Sequence, residues 1–244
     1  INNCENHGDI ESTGKTKIGG IVGYIDDVKS NLVISINGCI NSGNITSGKH
    51  TGGIIGHNKD TINISNCLNI GKLLNGTENI GGIVGLDAGC LTITNAFNAS
   101  EIAGNGIIGT LNTISTCTNC INIGQATTSN NCTYDKQMCP IGSSGKLTSE
   151  MLGTELQSSL GSDWTYTEGM YPMITALKES DYMKVAATPI ILNETENATT
   201  VSKTLNYDSN SPVEWECSKT NDGEILVSFV NGKGYIANPE TNTD

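Results

Sequence analysis

One unit of sequence recurs along the first half of this chain, and it limits the fold more than any other feature. Ile64-Ser65-Asn66-Cys67-Leu68-Asn69-Ile70-Gly71 is followed ten residues later by Gly81-Gly82-Ile83-Val84-Gly85. The same unit appears as Ile1 to Gly8 with Gly19 to Gly23, and as Ile36 to Gly43 with Gly52 to Gly56. A worn copy runs from Ile93 to Ser100 with Gly106 to Gly109, and a half-copy from Cys117 to Gly124. In the Cys-x-Asn-x-Gly register, Cys4, Cys39, Cys67, Ala96 and Cys120 are separated by 35, 28, 29 and 24 residues. Self-similarity at this period marks a repeat architecture.

Each signature is preceded by an alternating segment, such as Thr61-Ile62-Asn63-Ile64-Ser65 or Leu91-Thr92-Ile93-Thr94-Asn95. Period-2 alternation rich in β-branched residues reads as a strand with one buried face. Ile62 and Ile64 point one way, Asn63 and Ser65 the other. Glycine breaks every copy too often for a helix. Two or three short strands in each repeat predict one coil of a β-solenoid. The expected fold is all-β: a right-handed parallel β-helix of about four to five irregular coils. In such a stack Cys4, Cys39, Cys67 and Cys120 fall in one inward column. Asn6, Asn41, Asn69, Asn98 and Asn122 fall in another, where side-chain amides bond both the turn and the next amide. The Gly after each Asn is expected at φ > 0, and the doubled Gly where coils approach closely.

The composition narrows function by exclusion. The chain has 13 Lys, no Arg and 25 Asp plus Glu, for a net charge of −12. This argues against nucleic acid as a partner and against attraction to anionic membrane. There is no run of 18 apolar residues, so no membrane insertion is expected in this segment. The chain opens on Ile1, which reads as a piece of a longer or processed protein. Nine cysteines leave at least one unpaired within the chain. Cys117, Cys120, Cys132 and Cys139 have irregular spacing for zinc, and Cys120 already has a place in the repeat. A thiol ladder is the favoured reading, with Cys132–Cys139 the candidate disulfide. The Gly-Gly-Ile-Val-Gly block lacks the Lys-Ser/Thr and the helix of a phosphate loop. His7, His50 and His57 take different places in different copies and form no column. The acids Asp9, Asp26, Asp27, Asp60 and Asp87 lie mostly in loops, without the facing pair a glycosidase needs. No catalytic residue, metal or cofactor is expected. What remains is an outward polar face made by Ser35, Asn63 and Thr92 with Ser65 and Thr94. Trp164, Tyr166 and Tyr171 are the aromatic candidates for a sugar contact.

The glycine blocks, with Asn-Cys-x-Asn-x-Gly between them, resemble the GLUG repeats of bacterial surface and secreted proteins. Such repeats accompany adhesins and the non-catalytic part of certain immunoglobulin A-cleaving metallopeptidases. Tyr134-Asp135-Lys136-Gln137-Met138, Gly145-Lys146-Leu147-Thr148, Trp164-Thr165-Tyr166 and Tyr171-Pro172 resemble the segment that closes GLUG arrays. The resemblance spans roughly residues 1–177 and implies a cell-surface solenoid with no defined ligand and no catalytic residues to carry over. The expected organisation is 1–124 as repeats and 125–177 as a cap over the solenoid's end, with a helix from Thr154 to Leu160 stopped by Gly161. Residues 178–244 are expected to form a small immunoglobulin-like β module, with strands at Ala187–Leu192, Val201–Leu205, Val213–Cys217 and Ile225–Val230. The expected function is a non-catalytic, extracellular module that binds a host glycan or protein. The alternatives are a structural stalk that binds copies of itself, and a polysaccharide-active β-helix enzyme.

Overall fold

The computed structural model describes residues 1–12, 14–27, 33–129, 132–139 and 144–189, and the backbone of three strands beyond them. The chain is mostly β, and its repeats form parallel sheets. Each strand of a copy pairs in parallel with the equivalent strand of the next. The largest sheet joins Glu5–Asn6, Ile40–Asn41, Thr61–Asn69, Cys90–Asn98, Ile121–Asn122 and Thr133–Tyr134. A second joins Ile10–Glu11, Ile45–Thr46 and Leu73–Leu74. A third joins Thr16–Gly19, Lys49–Gly52 and Glu78–Gly81, and a fourth Val22–Ile25, Ile55–Asn58, Val84–Asp87 and Ile108–Thr110. The register is that of the repeat: Ile62 lies between Ile34 and Leu91, and Ile64 between Ile36 and Ile93. Like residues therefore stack on like, and the interior fills with columns of Ile, Val and Cys.

Of the two expected glycine roles, one differs from expectation. The positive-φ residue is not the Gly after the ladder Asn but the residue before the Cys: Asn3, Gly38, Asn66, Asn95 and Asn119. This left-handed residue suits Asn and Gly. It makes the residues three apart on either side, Ile64 and Cys67, both face inward. The Gly after the Asn is instead kept small by the neighbouring copy. A Cβ on Gly71 would lie 1.9 Å from the Gly43 carbonyl oxygen. The Gly-Gly-Ile-Val-Gly block is a corner, not a single strand. One strand ends at Gly52, the chain bends, and the next begins at Ile55. A Cβ on Gly53 would meet Asn69 Cγ and the Gly82 carbonyl oxygen, each at 2.3 Å. Gly20, Gly82 and Gly106 face Asn41, Asn98 and Asn122 in the same way. The ladder and the glycine pair thus recur together because one packs on the other.

The segment expected to cap the end lies elsewhere. Residues up to Cys139 extend the stack, with Tyr134 paired to Asn122 and Cys139 buried beside Leu73, Ile102 and Ala126. Beyond Leu147 the chain runs along the flank. Met151, Leu160, Trp164, Tyr171, Met173, Ile174 and Met183 cover an outward column of Ile40, Leu68, Phe97 and Ile121. Trp164 lies 6.2 Å from Phe97, ring to ring, and Tyr182 stacks at 4.5 Å on His7 in the first copy. Of the helix expected from Thr154 to Leu160, only Gln157–Leu160 is α-helical. Its N-cap is Leu156, not Thr154, while Gly161 stops it at φ +77°. A second helix, Asp181–Ala187, buries Met183, Val185, Ala186 and Ala187. Ala187 is therefore helical where a strand was expected over Ala187–Leu192, and residues 190–192 lie outside the described ones. Thr200–Asn206, Pro212–Lys219 and Ile225–Phe229 form a three-stranded antiparallel sheet. The rest of the expected immunoglobulin-like module lies outside the described residues.

Candidate functional site

The outward polar residues come together as two straight columns on the largest sheet. Ser35, Asn63, Thr92 and Thr116 are successive partners in one, and Asn37, Ser65, Thr94 and Thr118 in the other. Parallel pairing sets them one strand spacing apart, about 4.8 Å. The second column is partly tied up. Ser65 Oγ donates to Asn37 Oδ1 at 2.9 Å, Asn66 Nδ2 donates to the same oxygen at 2.8 Å, and Thr118 Oγ1 donates to the Ile93 carbonyl at 3.4 Å. In the first column the side chains of Ser35, Asn63, Thr92 and Thr116 are exposed and bond no other described residue. The strap borders this face without covering it, through Asp163 against Asn95 and Leu160 against Asn119. The face is neutral, flat and rich in free hydroxyl and amide groups. It can make directional hydrogen bonds, but it holds no acid, base or nucleophile pair for catalysis. Trp164 and Tyr171 belong to the strap, are buried against the stack, and do not join this face.

The asparagines form a continuous chain of amides. Asn6 Nδ2 donates to Asn41 Oδ1 at 2.8 Å, Asn41 to Asn69 at 2.8 Å, Asn69 to Asn98 at 2.9 Å and Asn98 to Asn122 at 2.7 Å. Each amide also donates to the carbonyl two residues on, from Gly8 to Gly124. The cysteine column is Cys39, Cys67, Ala96 and Cys120, with the exposed Cys4 before it and Cys132 after it. The described cysteines are free thiols. Cys132 contacts Ser129 Oγ at 3.1 Å, whereas Cys139 belongs to a separate apolar cluster and donates to the Ala126 carbonyl. The candidate disulfide between Cys132 and Cys139 is therefore not made, and Cys139 is not gathered with Cys117, Cys120 and Cys132 for zinc. Among the described residues no three His, Cys, Asp or Glu side chains are placed to hold a metal.

One cluster was hidden by reading the histidines copy against copy. His50 and His57 belong to the same copy, flanking its glycine block. The corner brings their rings together, tilted by 53° with centroids 5.4 Å apart. Lys17 and Tyr24 flank the block of the copy before, and Lys17 Nζ sits 3.7 Å from the Tyr24 ring centre. Tyr24 in turn packs on His57. His50 is hydrogen-bonded to Asn79, but both ring nitrogens of the buried His57 lack a partner. Burial holds both imidazoles below their usual pKa, and Lys17 opposes their protonation. The signal was present in the sequence as equal flank spacing, Lys17 to Tyr24 and His50 to His57. Two polar groups also anchor buried ground. Asp87 accepts from Asn58, Ser115, Gly89 and Asn112. Asp135 accepts from Tyr171, Thr148, Gln137 and Met138, and burial raises its pKa.

Comparison with family models, with curated proteins and with solved structures returned no match. No helix among the described residues is long and apolar enough to cross a membrane.

Proposed function

We propose that this chain is a non-catalytic binding module of an extracellular surface protein of the GLUG-repeat kind. In this reading its parallel sheets are the faces of a right-handed β-helix, and the sheet from Thr200 to Phe229 belongs to an immunoglobulin-like module. The observation that carries the reading is the free polar column Ser35, Asn63, Thr92 and Thr116, kept in register across four copies beside a half-satisfied second column. A long row of unused donors and acceptors on a rigid sheet suits an extended polar ligand, a glycan chain or a protein edge. The rigid backbone lowers the ordering cost of binding.

The test is retention of the purified chain on a panel of host glycans and matrix proteins, with reaction products followed in parallel. Retention without turnover is expected. It should be lost in Asn63→Lys and Thr92→Lys, which place charge and bulk in the middle of the column. Unchanged retention in both variants removes this face from the proposal. No retention by the parent, with self-association in sedimentation, moves the function to a structural stalk. Product formation brings back the enzyme reading.

A further inference from the structure

The repeat places two inward side chains on either side of its left-handed residue. In successive copies these are Ile36 with Cys39, Ile64 with Cys67, and Ile93 with Ala96. In the last copy both are cysteine. Cys117 takes the register position of Ile93, and Cys120 follows the column of Ala96. Asn119 between them has φ +53°. The outcome is a close contact: Cys117 Sγ and Cys120 Sγ are 3.1 Å apart. Cys120 is buried, and Cys117 is half-buried at the edge of the same cluster. The Cys120 thiol also donates to the Thr118 carbonyl at 3.3 Å, which keeps its sulfur turned toward its partner. About 1 Å of approach separates this contact from a bond.

We infer that Cys117 and Cys120 form a reversible dithiol–disulfide site, open to a small-molecule disulfide through Cys117. The Cys117 thiolate attacks one sulfur of the oxidant, whose other half leaves as a thiolate. Cys120 then attacks Cys117 Sγ in the mixed disulfide and expels the second half. Two protein thiols are oxidised, one small disulfide is reduced to two thiols, and the two protons pass to the departing thiolates. Among the described residues no third cysteine makes such a contact with either sulfur: Cys132 is engaged by Ser129, and Cys139 lies in another cluster. The bond fastens more than the two-residue loop. Asn119 Nδ2 donates to the Leu160 carbonyl in the strap. Closing the loop fixes Asn119 in the conformation that makes this contact.

The test is equilibration of the folded chain with oxidised glutathione, then acid quench, denaturation, alkylation and fragment mass spectrometry. The expected product carries a fragment holding both Cys117 and Cys120 that has lost two hydrogens and is alkylated at neither, whatever the exposed Cys4 takes up. Cys120→Ala copies Ala96 at the same column position, so it folds. It is expected to stop at one glutathione on Cys117. Cys117→Ile restores the residue of the other copies and is expected to take up none there. A bond between Cys120 and Cys132, a lasting glutathione adduct on Cys117 or Cys120 in the parent chain, or full alkylation of both residues after equilibration each overturns the inference.

Discussion

Asn69 Nδ2 shares its two hydrogens among Asn98 Oδ1, Ser100 Oγ and the Gly71 carbonyl, and its oxygen accepts from Asn41. Removing it leaves partners above and below unpaired in a site closed to water. Asn69→Ala should therefore cost about 2–4 kcal/mol, since each stranded buried group costs roughly 1–3 kcal/mol. Asn6 heads the same chain but is only half-buried, so water can replace it. Asn6→Ala should cost under about 1 kcal/mol. Urea denaturation of both variants measures the contrast, and equal losses would deny the ladder its role. His57 is a residue the fold carries at a cost. Its ring is buried with neither nitrogen bonded, and its pKa falls below the ordinary 6.5, as does that of His50. As pH drops below about 6.5 the unfolded chain takes up protons that the folded chain refuses. Stability from these groups is complete above that pH and is lost as pH falls toward the folded pKa. Asp135 acts in the opposite sense: its folded pKa is raised above 3.8, so its share of stability grows on acidification. Leu86 follows His57 in the same column. His57→Leu should gain about 1–2 kcal/mol at neutral pH and flatten the loss that sets in as pH falls below the ordinary imidazole value. Denaturation midpoints across pH give the answer, and an unchanged slope would place the titration elsewhere.

At the scale of strands and corners, the glycine pair decides how closely one copy can sit on the next. A Cβ on Gly53 would push into both Asn69 and the Gly82 carbonyl. Gly53→Ala should cost about 3 kcal/mol or more, as overpacking does where backbone cannot yield. At Gly8 a new Cβ would find only Asn6 Oδ1, at 3.9 Å. Gly8→Ala should stay within about 0.5 kcal/mol. Thermal unfolding of the pair separates a packing role from a mere preference for glycine. These elements were legible because burial writes them into the sequence. Ile62 and Ile64 alternate with Asn63 and Ser65 because one face meets the core and the other meets water. The polar columns follow from the same alternation. The inward cysteines were read from the repeat, but the reversal at Asn66 that turns them in was not legible, because it depends on one backbone angle. The strap was missed for a different reason. Its covering residues lie far along the chain and follow no repeat. The trace it leaves is negative: Ile40, Leu68, Phe97 and Ile121 are apolar at a position that ought to face water, while Glu5 in the first copy is not.

A stack of repeats alone is held by each copy and its contact with the next, so its ends can melt first. The strap changes that for the whole molecule. It touches the first copy through Tyr182 on His7, the fourth through Trp164 on Phe97 and the last through Leu160 on Asn119. Copies that are not neighbours are thereby tied together, and the described body should unfold as one unit. Asp135 is the anchor that makes this testable. Its carboxylate is wholly buried and holds Tyr171 at 2.6 Å and Thr148 at 2.7 Å. Asp135→Ala strands both hydroxyls and two backbone amides, a loss of about 3–5 kcal/mol concentrated where the strap leaves the stack. Trp164 remains in the variant and reports on the strap, provided Trp215 is replaced by Phe in both proteins. In the parent, Trp164 fluorescence and the far-ultraviolet β signal should fall together with urea. In Asp135→Ala the fluorescence should fall first, at lower urea, leaving a stack whose own transition is broader and less steep. If the two signals still coincide in the variant, Asp135 is not the anchor that joins the strap to the stack.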